Sequence, residues 1–228
     1  MIRTNFWRLC FIADSEAAAD QDVLRLIRQA ALGGATMIQL RGKAWTTRQF
    51  LATGRKAGQI LIKRRIPLII NDRIDIALAC PSRGVHLGQL DMPISEARRI
   101  LGRRALIGIS ASTPAEARRA EREGADYLGI GPVFETASKK GLPEALGIAG
   151  FKAIRRQVGI PVLAIGGIGR SNVLEIMKAG ADGVAVISAI SSAHSPIHAA
   201  RELIEIISRY ENRPSRNGDI PRRGLARP

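Results

Sequence analysis

Aromatic side chains make up only 4% of the 228 residues, and there are just two cysteines. So few aromatics leave little material for the stacking platforms on which single-strand nucleic-acid binders hold bases. Cys10 lies in an apolar run and Cys80 precedes Pro81, neither in a CxxC nor in a His-rich cluster, so both read as inert thiols in a reducing compartment. No stretch approaches the roughly 18 apolar residues of a membrane span. The start, Met1 to Arg8, lacks a long apolar segment followed by a small-residue cleavage site. The expectation is a cytoplasmic protein with no membrane partner.

Positive charge, in contrast, is abundant: the chain carries a net +15, enough to raise nucleic acid as a partner. The basic residues are scattered, however. Arg25 and Arg28, Lys63 to Arg65, Arg98 with Arg99, Arg103 with Arg104, Arg118 with Arg119, and Arg155 with Arg156 fall on or just past segments of helical period. A solvated basic exterior that draws in anionic ligands accounts for them, and no nucleic-acid partner is expected. The last eighteen residues, 211–228, are rich in Arg, Pro, Gly and Asn and are expected to form a disordered tail, because they cannot bury enough apolar surface to offset ordering entropy. Five arginines against two acids leave +3 there and +12 for the body.

Apolar residues amount to 46%, ample for one large core. Short apolar runs at 9–12, 37–40, 68–70, 85–87, 106–109, 127–130, 162–165 and 183–187 read as buried parallel strands. Segments of helical period at 23–32, 47–64, 74–79, 95–101, 114–123, 149–157, 172–179 and 196–210 separate them. Regular alternation implies right-handed crossovers and a parallel sheet, and eight units predict an α/β chain closed as a (β/α)8 TIM barrel, one domain over residues 1–210. An internal echo supports the repeat: Gly34-Ala35-Thr36, Gly124-Ala125-Asp126 and Gly180-Ala181-Asp182 each stop a helix and lead into a strand. Glycine tolerates the left-handed conformation that ends a helix, so these are structural repeats.

In such folds the chemistry collects past the C-terminal ends of the strands. Gln39 and Arg41 share one face of the second strand by the period of two, and Lys43 follows on the loop. A planar guanidinium and a point-charge ammonium suit an anion such as a diphosphate, the alternative being an ordinary basic turn. Asn71 and Asp72 end the third strand, and Asp91 follows the fourth. Two acids on neighbouring strand ends, with His86 and Gln89 near them, suggest Mg²⁺, which takes one or two carboxylates plus phosphate oxygens and water. The alternative is that Asp72 and Asp91 cap the helices that follow them. Ser110 ends the fifth strand. Thr136, Ser138 and Lys139 lie on a long loop after the sixth, the expected lid. Gly166 and Gly167 follow the seventh strand and Ile187 and Ser188 the eighth, where barrels commonly hold phosphate on backbone N–H groups.

Taken together, Gln39-Leu40-Arg41-x-Lys43, Asn71-Asp72, Gly84-Val85-His86-Leu87-Gly88-Gln89-x-Asp91, Gly108-x-Ser110, Gly131-Pro132-Val133-Phe134, Ala164-Ile165-Gly166-Gly167-Ile168 and Ser188-Ala189-Ile190 resemble the thiamine-phosphate synthase family from about Leu9 to Tyr210. The resemblance implies a transferase that joins a hydroxymethylpyrimidine diphosphate to a thiazole phosphate and releases pyrophosphate. It implies that Gln39, Arg41, Lys43, Asn71, Ser110 and Lys139 hold the pyrimidine diphosphate, with Arg41, Lys43, Lys139 and Ser110 as the catalytic groups. Asp72 and Asp91 would hold Mg²⁺, and Thr136, Ser138, Gly166, Gly167, Ile187 and Ser188 the thiazole phosphate. The expected partners are these two small molecules and, at most, a second copy of the chain in a homodimer. No nucleophile or dedicated base is needed, because the protein supplies orientation and electrostatics to a departing diphosphate.

Two departures bear on that reading. The lid has Thr136-Ala137-Ser138-Lys139 where the family often has a proline in second place. Its Val133-Phe134-Glu135-Thr136 and Lys140-Gly141-Leu142 also look like the related thiazole tautomerases, which makes an isomerase the second enzyme reading. Those proteins carry a catalytic histidine two residues after the serine of the fifth strand, where this chain has Ser112, a group that needs an activating neighbour to act as a base. A non-catalytic regulator that binds thiamine precursors is the third reading, disfavoured by the retention of Asp72, Asp91, Lys43 and Lys139.

Overall fold

The computed structural model describes residues 6–18, 21–136, 138, 141 and 143–213. Eight parallel strands close into a barrel in sequence order: β1 (Leu9–Asp14), β2 (Met37–Arg41), β3 (Leu68–Asn71), β4 (Gly84–Leu87), β5 (Leu106–Ala111), β6 (Tyr127–Ile130), β7 (Val162–Ile165) and β8 (Gly183–Val186). Around them run α1 (Val23–Gly33), α2 (Thr47–Ile62), α3 (Ile74–Ala79), α4 (Ile94–Leu101), α5 (Pro114–Arg122), α6 (Gly147–Arg155), α7 (Val173–Lys178), a short α8 (Ser188–Ser191) and α9 (Pro196–Glu211). The expected (β/α)8 architecture is therefore present.

Period-two alternation divides each strand between two apolar layers. Cys10, Ile12, Met37, Ile69, Leu106, Tyr127, Leu163 and Ala185 fill the barrel interior, while Leu9, Phe11, Ile38, Leu40, Ile70, Ile107, Val162 and Val184 pack outward against the helices. Extending the inward face by one step along the chain brings Asp14, Arg41, Asn71 and Ser110 to the C-terminal mouth. Strands β1 and β5 run two residues past their apolar runs, because Asp14 pairs in register with Arg41 and Ser110 with Gly129. Polar side chains at the mouth do not interrupt a ladder made by backbone groups.

The helices start where the sequence offers caps. Thr46 with Gln49 opens α2 and Thr113 with Glu116 opens α5 as reciprocal capping boxes. Ser195 accepts from His198 N–H ahead of Pro196 in α9. Short helix α8 has no apolar period of its own and was not expected from the sequence. Helix α9 runs one residue beyond the expected boundary, since Glu211 pairs with Arg8 Nε at 2.7 Å; residues 214–228 of the proposed tail lie outside the described residues.

The Gly-Ala echo has a physical basis at the closed end of the barrel. Gly34, Gly124 and Gly180 all have φ between 93° and 104°, the region an L side chain avoids. The third residue of each triplet then accepts an amide at the start of the preceding strand: Thr36 Oγ1 from Leu9 N at 3.0 Å, Asp126 Oδ2 from Ile107 N at 2.7 Å and Asp182 Oδ2 from Val162 N at 2.9 Å. Each aspartate also meets an arginine, Arg98 or Arg155, which reaches back to the carbonyls of Gly124 and Gly180 respectively.

Candidate functional site

A cavity of about 600 Å³ opens at the C-terminal ends of the strands. Among the expected site residues, Lys43, Asp91, Ser110, Thr136, Ser138, Gly166, Gly167, Ile187 and Ser188 line it. Gln39, Arg41, Asn71 and Asp72 are not in its wall; Gln39 is buried at the barrel centre with 4% exposure, and Asp72 joins the site through Lys43 and Asp91. Lys139 lies outside the described residues.

The β2–β4 side is ionic. Lys43 Nζ meets Asp72 Oδ2 at 2.5 Å. Asp72 adopts φ +61°, uncommon for a residue with a side chain, and its amide continues the ladder by donating to the His86 carbonyl at 2.9 Å. Burial pushes its carboxyl above the usual 3.8; Lys43 pulls it down, and hydrogen bonding and repulsion from Asp91 push it up again. The two carboxylates are thus direct neighbours. Neither caps a helix: the cap positions of α3 and α4 belong to Arg73 and Pro93, without side-chain cap bonds. Asp91 Oδ2 instead accepts from Gly88 N at 2.7 Å, which fixes the loop that carries it.

Arg41 is clamped by two carboxylates absent from the sequence reading. Asp14 and Glu16 both pair with Arg41 Nη1, Glu16 at 3.2 Å, and Asp14 Oδ1 accepts from Glu16 N at 2.8 Å. A signal was available: the apolar run from Leu9 to Ala13 ends in the carboxylate of Asp14, as the run before Asp72 ends in an acid. The turn between the cations needs Gly42, because a Cβ there would overlap the Trp45 ring.

From β5 onward the mouth turns to hydroxyls, with glycines at its far side. Ser110 sits on β5 with its carbonyl accepting from Gln89 Nε2 at 2.6 Å, and Arg119 holds the Gln89 oxygen. Ser138 N–H bonds Thr136 Oγ1 at 3.2 Å, and the Ser138 and Ser188 hydroxyls meet at 3.1 Å. The chain after β6 lies along the end of β7, with Val133 N donating to Ile165 O at 2.8 Å and Phe134 N to Gly166 O at 3.1 Å. Gly166 and Gly167, at φ +96° and +64°, leave no room for a Cβ against Pro132 and Phe134, so this close approach requires both. Ser112, where the tautomerase-like reading needs a base, also lines the cavity. Its N–H and hydroxyl both donate to Glu116 Oε2, at 2.7 and 3.0 Å, which makes it part of the α5 cap.

Neither cysteine bears on this site. Cys10 is wholly buried with its thiol pushed up to about 12, and Cys80 donates to the Leu51 carbonyl at 3.7 Å.

Comparison with known proteins narrows what such a site does. Residues 9–190 match the family model described as thiamine monophosphate synthase. A thiamine-phosphate synthase of Chloroflexus aurantiacus is 43% identical over 202 residues, covering 89% of this chain and 93% of that protein. One from Desulfitobacterium hafniense is 44% identical over 200 residues, covering 88% and 97%. The solved thiamine phosphate pyrophosphorylase from Pyrococcus furiosus superposes with a TM-score of 0.82 at 38% identity, covering 91% of this chain and 98% of that one.

Proposed function

The chain belongs to the thiamine monophosphate synthase family and is a transferase with thiamine-phosphate synthase activity, and from that premise we propose how its mouth divides the work. The pyrimidine diphosphate occupies the β2–β5 side, against Gln39, Arg41, Lys43, Asn71, Ser110 and Lys139. The thiazole phosphate occupies the β6–β8 side, against Thr136, Ser138, Gly166, Gly167, Ile187 and Ser188. The observation that carries this division is the split of one cavity into an ionic half walled by Lys43 and Asp91, with Asp72 paired to Lys43 behind the wall, and a hydroxyl and glycine half around Ser138 and Ser188.

Asp72 and Asp91 fit a hard divalent cation: both offer only oxygen, they are neighbours that repel each other, and the one ammonium beside them among the described residues, Lys43, pairs with Asp72. Among the described residues no group of three or more His, Cys, Asp or Glu side chains is placed to hold a metal. Mg²⁺ at this pair would therefore take its remaining oxygens from the diphosphate and water, and when bound it would supply charge neutralisation at the leaving group. The protein's own part is positional. Arg41, set by Asp14 and Glu16, and Lys43 stabilise the charge that develops as the carbon–oxygen bond to the diphosphate breaks. The facing half holds the thiazole so that its ring nitrogen donates its lone pair to the exposed methylene carbon, forming the carbon–nitrogen bond without a protein base. The working compartment is the cytoplasm, and the partners are the two small-molecule phosphates.

The test mixes pyrimidine diphosphate, thiazole phosphate and Mg²⁺ with the purified protein and follows pyrophosphate and thiamine phosphate together. Equimolar appearance of both supports the reading, and thiazole isomerisation without pyrophosphate release would replace it with the tautomerase.

A further inference from the structure

Behind Ser110 the barrel interior contains a polar chain that the reaction outlined above does not use. His86 on β4 places Nε2 3.0 Å from Ser110 Oγ and Nδ1 3.0 Å from the Tyr127 hydroxyl. Tyr127 is 1% exposed and His86 9%, and His86 is not part of the cavity wall, which Ser110 does line. The rings follow one another at a tilt, Trp7 to Tyr127 with centroids 5.1 Å apart and planes at 40°, and Tyr127 to His86 at 5.4 Å and 42°. Two glycines make room for them. A Cβ on Gly108 would overlap the Tyr127 ring and hydroxyl, and one on Gly129 would press to 3.0 Å of His86 Cε1.

The direction of these hydrogen bonds follows from what each group must donate. Among the described residues, His86 is the hydrogen-bond partner of the Tyr127 hydroxyl. A buried phenol that only accepted would leave its own O–H unsatisfied, so Tyr127 donates to Nδ1. Burial, which pushes the phenol well above its usual range, keeps that proton in place. Imidazole with Nδ1 accepting carries its proton on Nε2, and Nε2–H then donates to Ser110 Oγ. The Ser110 hydroxyl is left to direct its hydrogen into the cavity.

We propose that His86 and Tyr127 are positioning residues that lock Ser110 as a hydrogen-bond donor toward a phosphate oxygen of the diphosphate substrate. The opposite tautomer would turn the serine hydrogen toward His86 and present lone pairs to an anion. This inference rests on the assignment of the β2–β5 side to the diphosphate, and its test is chosen to separate the two.

Nitrogen-15 NMR of the isolated protein should show His86 protonated on Nε2, a measurement that needs no turnover. Tyr127→Phe, which removes one oxygen and keeps the packing, should shift His86 toward the other tautomer. His86→Leu should bind inorganic pyrophosphate with Mg²⁺ roughly tenfold more weakly, the size of one hydrogen bond to a charged group, and His86→Gln, whose amide can stand in for Nε2–H, should restore most of the loss. In kinetics the KM for the pyrimidine diphosphate should rise while that for the thiazole phosphate stays unchanged, whereas general loosening of the barrel would move both. An Nδ1-protonated His86 in the wild type would overturn the proposal, as would wild-type pyrophosphate affinity in both Tyr127→Phe and His86→Leu. If the tautomer and its response to Tyr127→Phe are as stated but Ser110→Ala leaves pyrophosphate binding intact, the diphosphate assignment fails instead.

Discussion

At the scale of single residues, the neighbouring carboxylates make the sharpest predictions. Asp72→Ala and Asp91→Ala should each lower kcat/KM by about a hundredfold or more, since a metal at a leaving diphosphate is worth several kcal/mol, while thermal unfolding shifts little because neither side chain caps a helix. A large loss of Tm with normal turnover would identify a structural aspartate instead. The raised Asp72 carboxyl has a definite sign. A carboxyl whose folded value lies above its ordinary 3.8 stabilises the fold fully below that value and loses this contribution as pH rises through the folded value. Because Lys43 lowers it and Asp91 raises it, Lys43→Met should move the Asp72 carbon-13 titration further up and Asp91→Ala should move it down; an unmoved titration in both variants would mean that the two groups do not act on it. Ser112→Ala should leave coupling nearly unchanged, because its hydroxyl serves the Glu116 cap, and isomerisation of the thiazole by the wild type would contradict that role.

Elements show where a pattern in the sequence becomes architecture. The Gly-Ala triplets were legible as helix stops, but the role of their third residue was not, since nothing local indicates that Asp182 accepts the amide of Val162 twenty positions back or that Arg155 reaches both Asp182 and the Gly180 carbonyl. Asp182→Ala strands Arg155, 4% exposed, without its carboxylate, and breaking such a buried pair costs about 3–5 kcal/mol. Asp126→Ala should cost less, as Arg98 and Asp126 keep side-chain exposures of 24% and 30%. Urea denaturation of the two variants decides this, and equal losses would show that burial of the pair is not what matters. The same limit explains what else was missed. Strands end in the sequence where apolar residues stop, whereas the ladder continues through Asp14 and Ser110, and α8 is a single turn with no period to read.

For the whole molecule, the eight-unit rhythm was legible because each strand is a short apolar run and each helix has a cap or a stripe, and the site residues were legible because they follow those runs. Which ones meet was not: pairing of Arg41 with Asp14, of Lys43 with Asp72, and of His86 with Ser110 depends on the strands pairing in sequence order, which places consecutive strand ends side by side. Net charge is the remaining molecular property. Residues 214–228 carry four arginines and one aspartate, so +12 of the +15 stays with the rest of the chain. Their composition offers no core-forming surface, and a cut after Arg213 keeps the guanidinium that lies 3.9 Å from the Tyr210 ring at the end of α9. Deleting 214–228 should therefore preserve both Tm and the kinetic constants. Paired surface arginines such as Arg99 with Glu96 and Arg73 with Asp75 reduce the charge available to a polyanion, so binding to DNA or RNA should be weak at physiological salt and fall steeply as salt rises. Submicromolar affinity that persists at physiological salt and drops on deletion of 214–228 would assign that segment a nucleic-acid partner, because the barrel it leaves behind is unchanged.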